Sequence, residues 1–149
     1  MNDRFKFRLP FYNNNGEFSH FQYIDIVDGL KPYNAGVMFH RGEYEQCTGL
    51  KDKNGNLIYE GDILLHSCSG KGVVSFGKYT GCFAAGWENI DIDLFGWYLD
   101  DYYEPDDCGR LRINLDNTHS PINEEDASDF EIVCNVHEQA EQKESKCQK

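Results

Sequence analysis

The pattern of apolar and polar residues along the chain predicts many short strands separated by turns. Residues 4–8, RFKFR, alternate at period two, which places the cations on one face of a strand and Phe5 and Phe7 on the other. NNNGEF then predicts a turn, because asparagine and glycine tolerate a left-handed backbone, and HFQYIDIV predicts a second strand. We expect an N-terminal strand, turn and strand, with the cations on a solvated face and the phenylalanines on a core face.

The rest of the chain also predicts short strands separated by turns and loops. Residues 28–36 predict a loop because they contain two glycines and a proline, and EYEQCTG predicts a short strand. In residues 70–87 the glycines bracket short apolar groups, which predicts a meander of strands with tight reversals, followed by strands in IDIDL and FGWYL. FEIVCNVH alternates with an apolar phase that begins at Phe130, which predicts a last strand with one buried face.

The acidic segments DDYYEPDDCG and NTHSPINEEDASD are rich in turn formers and predict long surface loops. Neither places its oxygens at the offsets of a twelve-residue calcium loop, so we expect no metal there. The final EQAEQKESKCQK has almost no apolar residues and predicts a frayed or marginally helical tail. We therefore expect a single β domain over residues 1–137 and a polar tail over residues 138–149.

Length and charge narrow the class of protein. The chain of 149 residues is the size of one domain. Its formal net charge is -12, and residues 100–149 contribute 14 acidic against 5 basic side chains. Such a surface repels a phosphate backbone, so we expect no general nucleic-acid binding. No apolar run is long enough for a membrane span or a secretory signal, so we expect a location in the cytoplasm of a bacterial host.

Six cysteines are present, and none forms a Cys-x-x-Cys pair. Closely spaced pairs are the usual ligands of structural zinc, so their absence argues against a metal centre. A reducing compartment would keep the thiols unpaired. We expect the cysteines to be small apolar fillers, and we expect no cofactor.

The stretch TGLKDKNGNLIYEGDIL, residues 48–64, carries the densest pattern of turn signals. Asn54 and Gly55 predict a two-residue hairpin reversal of type I′, and Asp52 can add a side-chain bond to the nearby backbone. Gly61 permits a sharp bend, and Asp62 can bond backbone donors exposed there. Such a corner is how small β-barrels close.

A catalytic interpretation of the same stretch is weaker. Glu60 and Asp62 are two residues apart, so on a strand their carboxylates would point the same way. No histidine, serine or cysteine is placed beside them by the local sequence, and a carboxylate pair alone does not define an active site. We therefore predict that the stretch builds the fold.

Residues 47–64 resemble the signature of the YopX family, small proteins encoded largely by bacteriophages and prophages. The resemblance implies a mostly β fold with a small SH3-like barrel, extra N-terminal and C-terminal strands, self-association and no enzymatic activity. This chain departs from the family pattern at Pro10 and Phe11, where Trp-Asp is expected, and at Cys134, where glycine is usual. The residues that match the signature, and that we expect to be structural, are Thr48, Gly49, Leu50, Asp52, Asn54, Gly55, Tyr59, Glu60, Gly61 and Asp62.

Function is therefore expected to be binding rather than catalysis, in a phage or prophage accessory protein that forms a homo-oligomer or binds an unknown protein partner. Aromatic residues are enriched at protein interfaces. FGWYLDDYYEPDD combines them with acids, although a core position is equally compatible with its tryptophan. The candidate interaction surface is Trp97, Tyr98, Asp100, Asp101, Tyr102, Tyr103, Asp106 and Asp107.

Two other classes of function stay open. A β-barrel that handles nucleic acid could use the cations of RFKFR beside its aromatic residues, or the C-terminal acids could mimic a phosphate backbone and occupy a DNA-binding protein. An enzyme would need the fold to bring together scattered residues such as His40, His66 and Asp62. A lone histidine is more often structural than catalytic.

Overall fold

The structure is a computed structural model that describes residues 5–26, 40–66, 70–85, 88–101 and 119–138. Strands dominate these ranges, which confirms the prediction of a mostly β fold. In chain order the elements are β1 (Lys6–Tyr12), β2 (Phe18–Asp25), β3 (His40–Arg41), β4 (Glu45–Lys51), β5 (Leu57–Tyr59), β6 (Asp62–His66), β7 (Gly70–Ala85), β8 (Glu88–Asp101), β9 (Ser120–Pro121), α1 (Glu124–Ala127) and β10 (Phe130–Asn135).

The strands pair into two antiparallel sheets, and the arrangement includes a curled half-barrel. The first sheet has the order β2-β1-β4-β5, with β3 also paired to β1. The second has the order β10-β6-β7-β8-β9. The chain passes from one sheet to the other between Tyr59 and Asp62, which is the corner that the sequence predicts.

The N-terminal hairpin forms as predicted, with β1 paired to β2 around a turn in which Gly16 has φ +83°. The predicted faces are wrong. Arg8 is only 4% exposed, whereas Phe5 is 52% exposed. Arg8 is buried because it pairs with buried carboxylates on other strands, and such pairing offsets the free-energy cost of removing a cation from water.

The hydrophobic core lies where the second sheet meets β5 and α1. Asn123 caps α1 by accepting the N–H of Asp126 at 2.9 Å, and Ala127 faces inward. The acidic segment predicted to be a loop therefore contains β9 and α1, because α1 covers the core at that point. The buried residues of the cluster are Ile58, Leu64, Val74, Leu99, Ile122, Ala127 and Phe130.

Strands β7 and β8 form one long hairpin rather than the predicted meander. Its glycines do not break the strands. Gly77 lies directly opposite Gly96, and both have extended backbones with positive φ, +154° and +158°. Gly72 permits a close approach, since a Cβ there would lie 2.9 Å from the Cβ of Leu99. Extended glycines thus allow sixteen residues of β7 to continue unbroken.

Strand β10 pairs with β6 as the last strand of the second sheet. The predicted alternation holds at Phe130, which is buried, and fails further along because the register shifts between Ile132 and Cys134. This bulge leaves Val133 39% exposed and turns Asn135 inward, where it is 5% exposed.

Several sequence predictions fall outside the described residues: the loop at residues 28–36, the segment DDYYEPDDCG beyond Asp101, and the tail after Glu138. Within the described ranges, no helix has the length and apolar character needed to cross a bilayer. Cys47 is fully buried, as expected of an apolar filler.

Candidate functional site

Arg8 is the centre of a buried charge cluster that joins both sheets. Its Nε donates to Glu45 Oε2 at 2.5 Å, and its Nη1 donates to Asp62 Oδ1 at 2.6 Å. Its Nη2 donates to the carbonyl oxygen of Glu60 at 2.9 Å. β1, β4 and the corner between β5 and β6 are thus linked by one guanidinium, whose planar set of donors suits such convergence.

Two aromatic rings pack against this guanidinium. The Arg8 Cζ atom lies 4.1 Å from the ring centroid of Phe21 and 5.1 Å from that of Tyr59. Burial alone would lower the pKa of Arg8, but Asp62 and Glu45 raise it above its ordinary value. The cation therefore stays charged although its side chain is almost completely buried.

His137 extends the cluster to the C-terminal end of the described chain. Its Nε2 lies 2.5 Å from Glu45 Oε1, and its Nδ1 lies 2.6 Å from the Tyr12 hydroxyl. A neutral imidazole satisfies both contacts when Nε2–H donates to Glu45 and Nδ1 accepts from Tyr12. Burial, with a further contribution from Glu45, raises the pKa of Tyr12. Phe18 and Phe21 pack against the same imidazole at 5.8 Å between centroids.

Asp62 is the most deeply buried carboxylate of the cluster, at 2% exposure. Its second oxygen accepts the backbone N–H of Tyr59 at 2.8 Å. Burial raises the pKa of Asp62 to about 6, against the opposing effects of Arg8 and of the Tyr59 N–H. Burial also raises the pKa of Glu60, and Glu45 adds to that rise. One guanidinium thus bonds two carboxylates, and His137 contacts the other oxygen of one of them, Glu45.

Gly61 lets the corner close tightly. Its φ of +80° lies in the left-handed region, where side chains cause strain. A Cβ at this position would lie 3.2 Å from Glu45 Oε1 and 3.3 Å from Val136 Cγ2. The Gly61 carbonyl accepts the N–H of Val136 at 3.0 Å. The glycine is therefore required both by its conformation and by the close approach of the cluster.

Thr48 bonds backbone groups between β4 and β5. Its hydroxyl donates to the Ile58 carbonyl at 3.0 Å and accepts the N–H of Leu50 at 3.0 Å. Gly49, between them, has φ +83°. The β4–β5 register shifts between Cys47 and Lys51, so this hydroxyl satisfies backbone groups where the ladder is interrupted.

Asp52 organises the reversal between β4 and β5. Its Oδ1 accepts the N–H groups of Asn54 and Asn56 at 2.9 and 2.8 Å, and its Oδ2 accepts the N–H of Ile132 on β10 at 3.3 Å. Burial would raise the pKa of Asp52, but hydrogen bonds led by those of Asn56 lower it below its ordinary range. The reversal spans residues 52–56, so the prediction of a two-residue turn is wrong, although Gly55 has the expected positive φ of +84°.

The β7–β8 hairpin carries a different kind of surface. Residues directly opposite each other share a face, and on one face Val74 and Leu99 are buried in the core. Further out, the same face carries Phe76 opposite Trp97, with Phe95 beyond them. Phe76 is 45% exposed and Phe95 is 73% exposed. The core-facing side of the hairpin thus extends past the core as an exposed aromatic face.

Rings and charges on this face are in mutual contact. The Phe76 centroid lies 5.1 Å from that of Phe95 and 4.8 Å from that of Trp97. Lys78 Nζ lies 2.7 Å from Asp93 Oδ2 on the same face. We call Phe76, Phe95, Trp97, Lys78 and Asp93 the hairpin face.

The opposite side of the hairpin holds a polar aromatic cluster. Tyr98 stacks on Tyr79 at 4.9 Å between centroids, and His119 contacts Tyr98 at the same distance. Asp100 accepts the Ser75 hydroxyl at 3.0 Å and lies 2.9 Å from His119 Nδ1. The serine bonds the aspartate and not the histidine, which is not the order of a nucleophilic triad.

Comparison with protein families decides the classification. The family model described as YopX protein matches residues 12–142. This chain belongs to the YopX family. No curated protein matches it significantly. The resemblance carried by the signature residues is therefore confirmed.

The YopX signature residues lie at or beside the charge cluster and the β4–β5 reversal. Glu60 and Asp62 do not form a carboxylate pair, because the corner turns Asp62 inward and leaves Glu60 half-buried. Both oxygens of Asp62 already accept hydrogen bonds. Thr48, Asp52 and Asp62 each bond backbone groups, and this arrangement fits a structural role for the signature.

The predicted interaction surface is divided by the hairpin. Trp97 lies on the hairpin face, half-buried against the core, whereas Tyr98 and Asp100 lie on the opposite side. Asp101 ends β8, and nothing is described of its side chain. The remaining members lie outside the described residues: Tyr102, Tyr103, Asp106 and Asp107.

Of the scattered residues of the enzyme alternative, His40 is exposed on β3, whereas Asp62 is buried in the charge cluster. His66 ends β6, and nothing is described of its side chain. Among the described residues, no three potential metal ligands form a group. The histidine that does join a buried carboxylate is His137.

Sequence reasoning missed Glu45, His137, Phe76 and Phe95. The first two meet Arg8 or each other across 37 and 92 residues of sequence, and no local pattern signals such a contact. The two phenylalanines are spaced as core residues are. They are exposed because the hairpin extends beyond the core. The glycines of this segment predict tight turns, so the sequence does not predict the length of the hairpin.

Proposed function

We propose that this YopX-family protein acts by binding, and that the hairpin face is the surface on which two copies associate. The observation that carries the proposal is the exposure of Phe76 and Phe95 beside Trp97 on a face that continues directly from the core. Apolar surface that is contiguous and rimmed by charge is typical of interaction sites. The phage or prophage setting implied by the family fits a small binding protein.

The charges on the hairpin face support a second copy as the partner. Lys78 and Asp93 have opposite signs and sit beside the aromatic rings, with side chains 69% and 61% exposed. A two-fold interface must be self-complementary, since each residue of the patch meets the same patch. Lys78 of one copy can then face Asp93 of the other while the rings pack between them.

The test is sedimentation velocity on Phe95→Ser and on the matched control Phe5→Ser. Phe5 is 52% exposed, so its substitution removes a comparable exposed ring away from the hairpin. We expect the wild type and Phe5→Ser to sediment as oligomers and Phe95→Ser to sediment as a monomer. A monomeric wild type, or equal association in the two variants, would contradict the proposal.

Charge reversal sharpens the same test. Lys78→Glu places like charges together and should weaken association, and adding Asp93→Lys should restore it by exchanging the two charges. Association that ignores both changes would exclude this face as the interface.

The nucleic-acid alternative gains less support. The basic strand RFKFR cannot use Arg8 to bind phosphate, because Arg8 is buried and bonded to two carboxylates. Phosphate binding needs cations that can reach the backbone. The acidic-mimic alternative relies mainly on acids beyond Asp100, and Asp100 itself bonds Ser75 and His119.

A further inference from the structure

A cavity of about 370 Å³ opens beside the charge cluster, between β2, β5 and β10. This volume lies near the lower end of the range for small-molecule sites, about 300–1,000 Å³. Arg8 and Asp62, which are 4% and 2% exposed, both line it. The cavity therefore has a charged base built from side chains that are fixed by the fold.

The cavity wall combines polar groups with aromatic and aliphatic side chains, two of which are exposed. Tyr23 on β2 is 64% exposed, and Val133, at the bulge of β10, is 39% exposed. Phe21 and Tyr59 also line it, and Tyr59 contacts Tyr23 at 5.6 Å between centroids. A long side chain entering from solvent would pass along rings and methyl groups.

The charges around the cavity favour a cation. Arg8 bonds both Glu45 and Asp62, so two carboxylates hold its positive charge. Glu138 also lines the cavity and adds a second acid at its rim. The chain as a whole carries a formal charge of -12. A basic group is thus attracted at long range and near the cavity.

The outer edge of β10 is already bonded at Phe130 and Ile132. The Phe130 carbonyl accepts the Lys53 N–H at 2.9 Å, and the Ile132 N–H donates to Asp52 Oδ2. Those groups lie on the side of β10 away from β6, where an added strand would bind. A partner would therefore be recognised through an inserted side chain and not through its backbone.

We propose that this cavity binds the side chain of an arginine or lysine presented by an extended segment of a partner protein. The alkyl stem packs on Tyr23 and Val133 while the cation lies over the tyrosine ring and pairs with Glu138. Arg8 provides the local precedent, since its guanidinium already stacks on Phe21 at 4.1 Å. The surface is separate from the hairpin face, so the proposal does not depend on self-association.

The experiment is an NMR titration of the full chain, at low salt, with three short peptides. The probes are Ac-Gly-Gly-Arg-Gly-Gly-NH₂, the same peptide with citrulline in place of arginine, and the same peptide with glutamate. We expect the arginine peptide to shift the resonances of Tyr23, Val133 and Glu138. Citrulline keeps the shape and loses the charge, so its peptide should bind at least about tenfold more weakly. Equal binding of the arginine and citrulline peptides would overturn the proposal.

Two matched variants distinguish binding in the cavity from non-specific attraction to the acidic surface. Glu138→Gln removes the rim charge and keeps an oxygen that can accept the Asn135 N–H, so the fold is retained. It should weaken binding of the arginine peptide about two- to fivefold, as expected for one partly exposed ion pair. The control is Glu131→Gln, which changes an exposed acid on β10 that pairs with Lys53 outside the cavity.

The outcomes decide the proposal. Tyr23→Ala should weaken binding further, because it removes the ring that the stem and cation contact. If Glu131→Gln weakens binding as much as Glu138→Gln does, or if the shifts spread over the whole acidic surface, the attraction is non-specific and the cavity is not a site. Unchanged binding by Phe95→Ser would confirm that the hairpin face is not involved.

Discussion

The charge cluster and the hairpin face are built on opposite principles. In the cluster, Arg8, Glu45 and Asp62 are almost completely buried, and each bonds a defined partner. On the hairpin face, Phe76 and Phe95 are exposed, with only ring contacts to neighbours. The first region has its interactions completed within the chain, and the second does not. We infer from this difference that the charge cluster serves the fold, whereas the hairpin face is open to a partner.

The largest effect is expected from removing the cation of the cluster. Arg8→Met leaves Glu45 and Asp62 buried without their shared partner, so the free energy of unfolding should fall by about 3–5 kcal/mol. Lys78→Met is the control, because its pair with Asp93 is largely exposed and should contribute little to stability. Urea unfolding of both variants measures the difference. Similar losses in the two variants would erase the contrast between the regions.

The pH dependence of stability tests Asp62 itself. Its pKa rises from 3.8, the ordinary value for an exposed aspartate, to about 6 in the fold, so the folded state binds this proton more tightly. The contribution of Asp62 is therefore most favourable below about pH 4 and declines as the pH rises from about 4 to 6, by at most about 3 kcal/mol. Urea unfolding across this window should show a flatter pH profile for Asp62→Asn than for the wild type. If the pH profiles of the two proteins were parallel, they would contradict a pKa of Asp62 that is raised by burial.

The corner glycine should show an intermediate effect. Gly61→Ala introduces both strain at φ +80° and a contact 3.2 Å from Glu45 Oε1, so it should cost about 2 kcal/mol. Gly16→Ala has a similar φ of +83° and open space around its Cβ, so it should cost about 1 kcal/mol. Thermal unfolding of the two variants measures the free-energy cost of the close approach. Equal losses of stability would show that the charge cluster rearranges to accept the methyl group.

A smaller effect is expected at the β4–β5 reversal. Asp52→Ala removes the acceptor for the N–H groups of Asn54, Asn56 and Ile132, which should lower stability by about 1–2 kcal/mol. Amide hydrogen exchange should quicken at Asn56 and Ile132 and stay unchanged in β7. Retained protection at Ile132 would mean that its bond to Asp52 contributes little.

The smallest effect on stability is expected on the hairpin face. Phe95 is 73% exposed, so Phe95→Ser should change the free energy of unfolding of the monomer by less than about 0.5 kcal/mol. Urea unfolding at low protein concentration checks this value. A loss of several kcal/mol would mean that the ring supports the fold, and the surface would then resemble the cluster.

Much of the fold follows from local sequence signals. The N-terminal turn, the corner at Gly61 and the side-chain bonds of Asp52 and Asp62 all depend on residues that lie within a few positions of one another. Local turn chemistry is strong enough to specify these features. The corner in particular is predicted with the correct glycine and the correct carboxylate.

The parts that the sequence concealed depend on distant contacts. Alternation places Arg8 on a solvated face because it reports the side of a strand and not what the side chain meets there. The burial of Arg8 requires Glu45 and Asp62, which lie 37 and 54 residues away. The long hairpin was concealed because Gly77 and Gly96 resemble turn residues until they are paired across strands.

The most direct measurement is amide hydrogen exchange on Arg8→Met beside Phe95→Ser. If the charge cluster serves the fold, Arg8→Met should lose protection in β1, in β4 and at the β5–β6 corner, because the cluster links them, while Phe95→Ser keeps the protection of the wild type. Full protection in Arg8→Met would contradict this account, since a cluster that the fold does not need must serve another purpose.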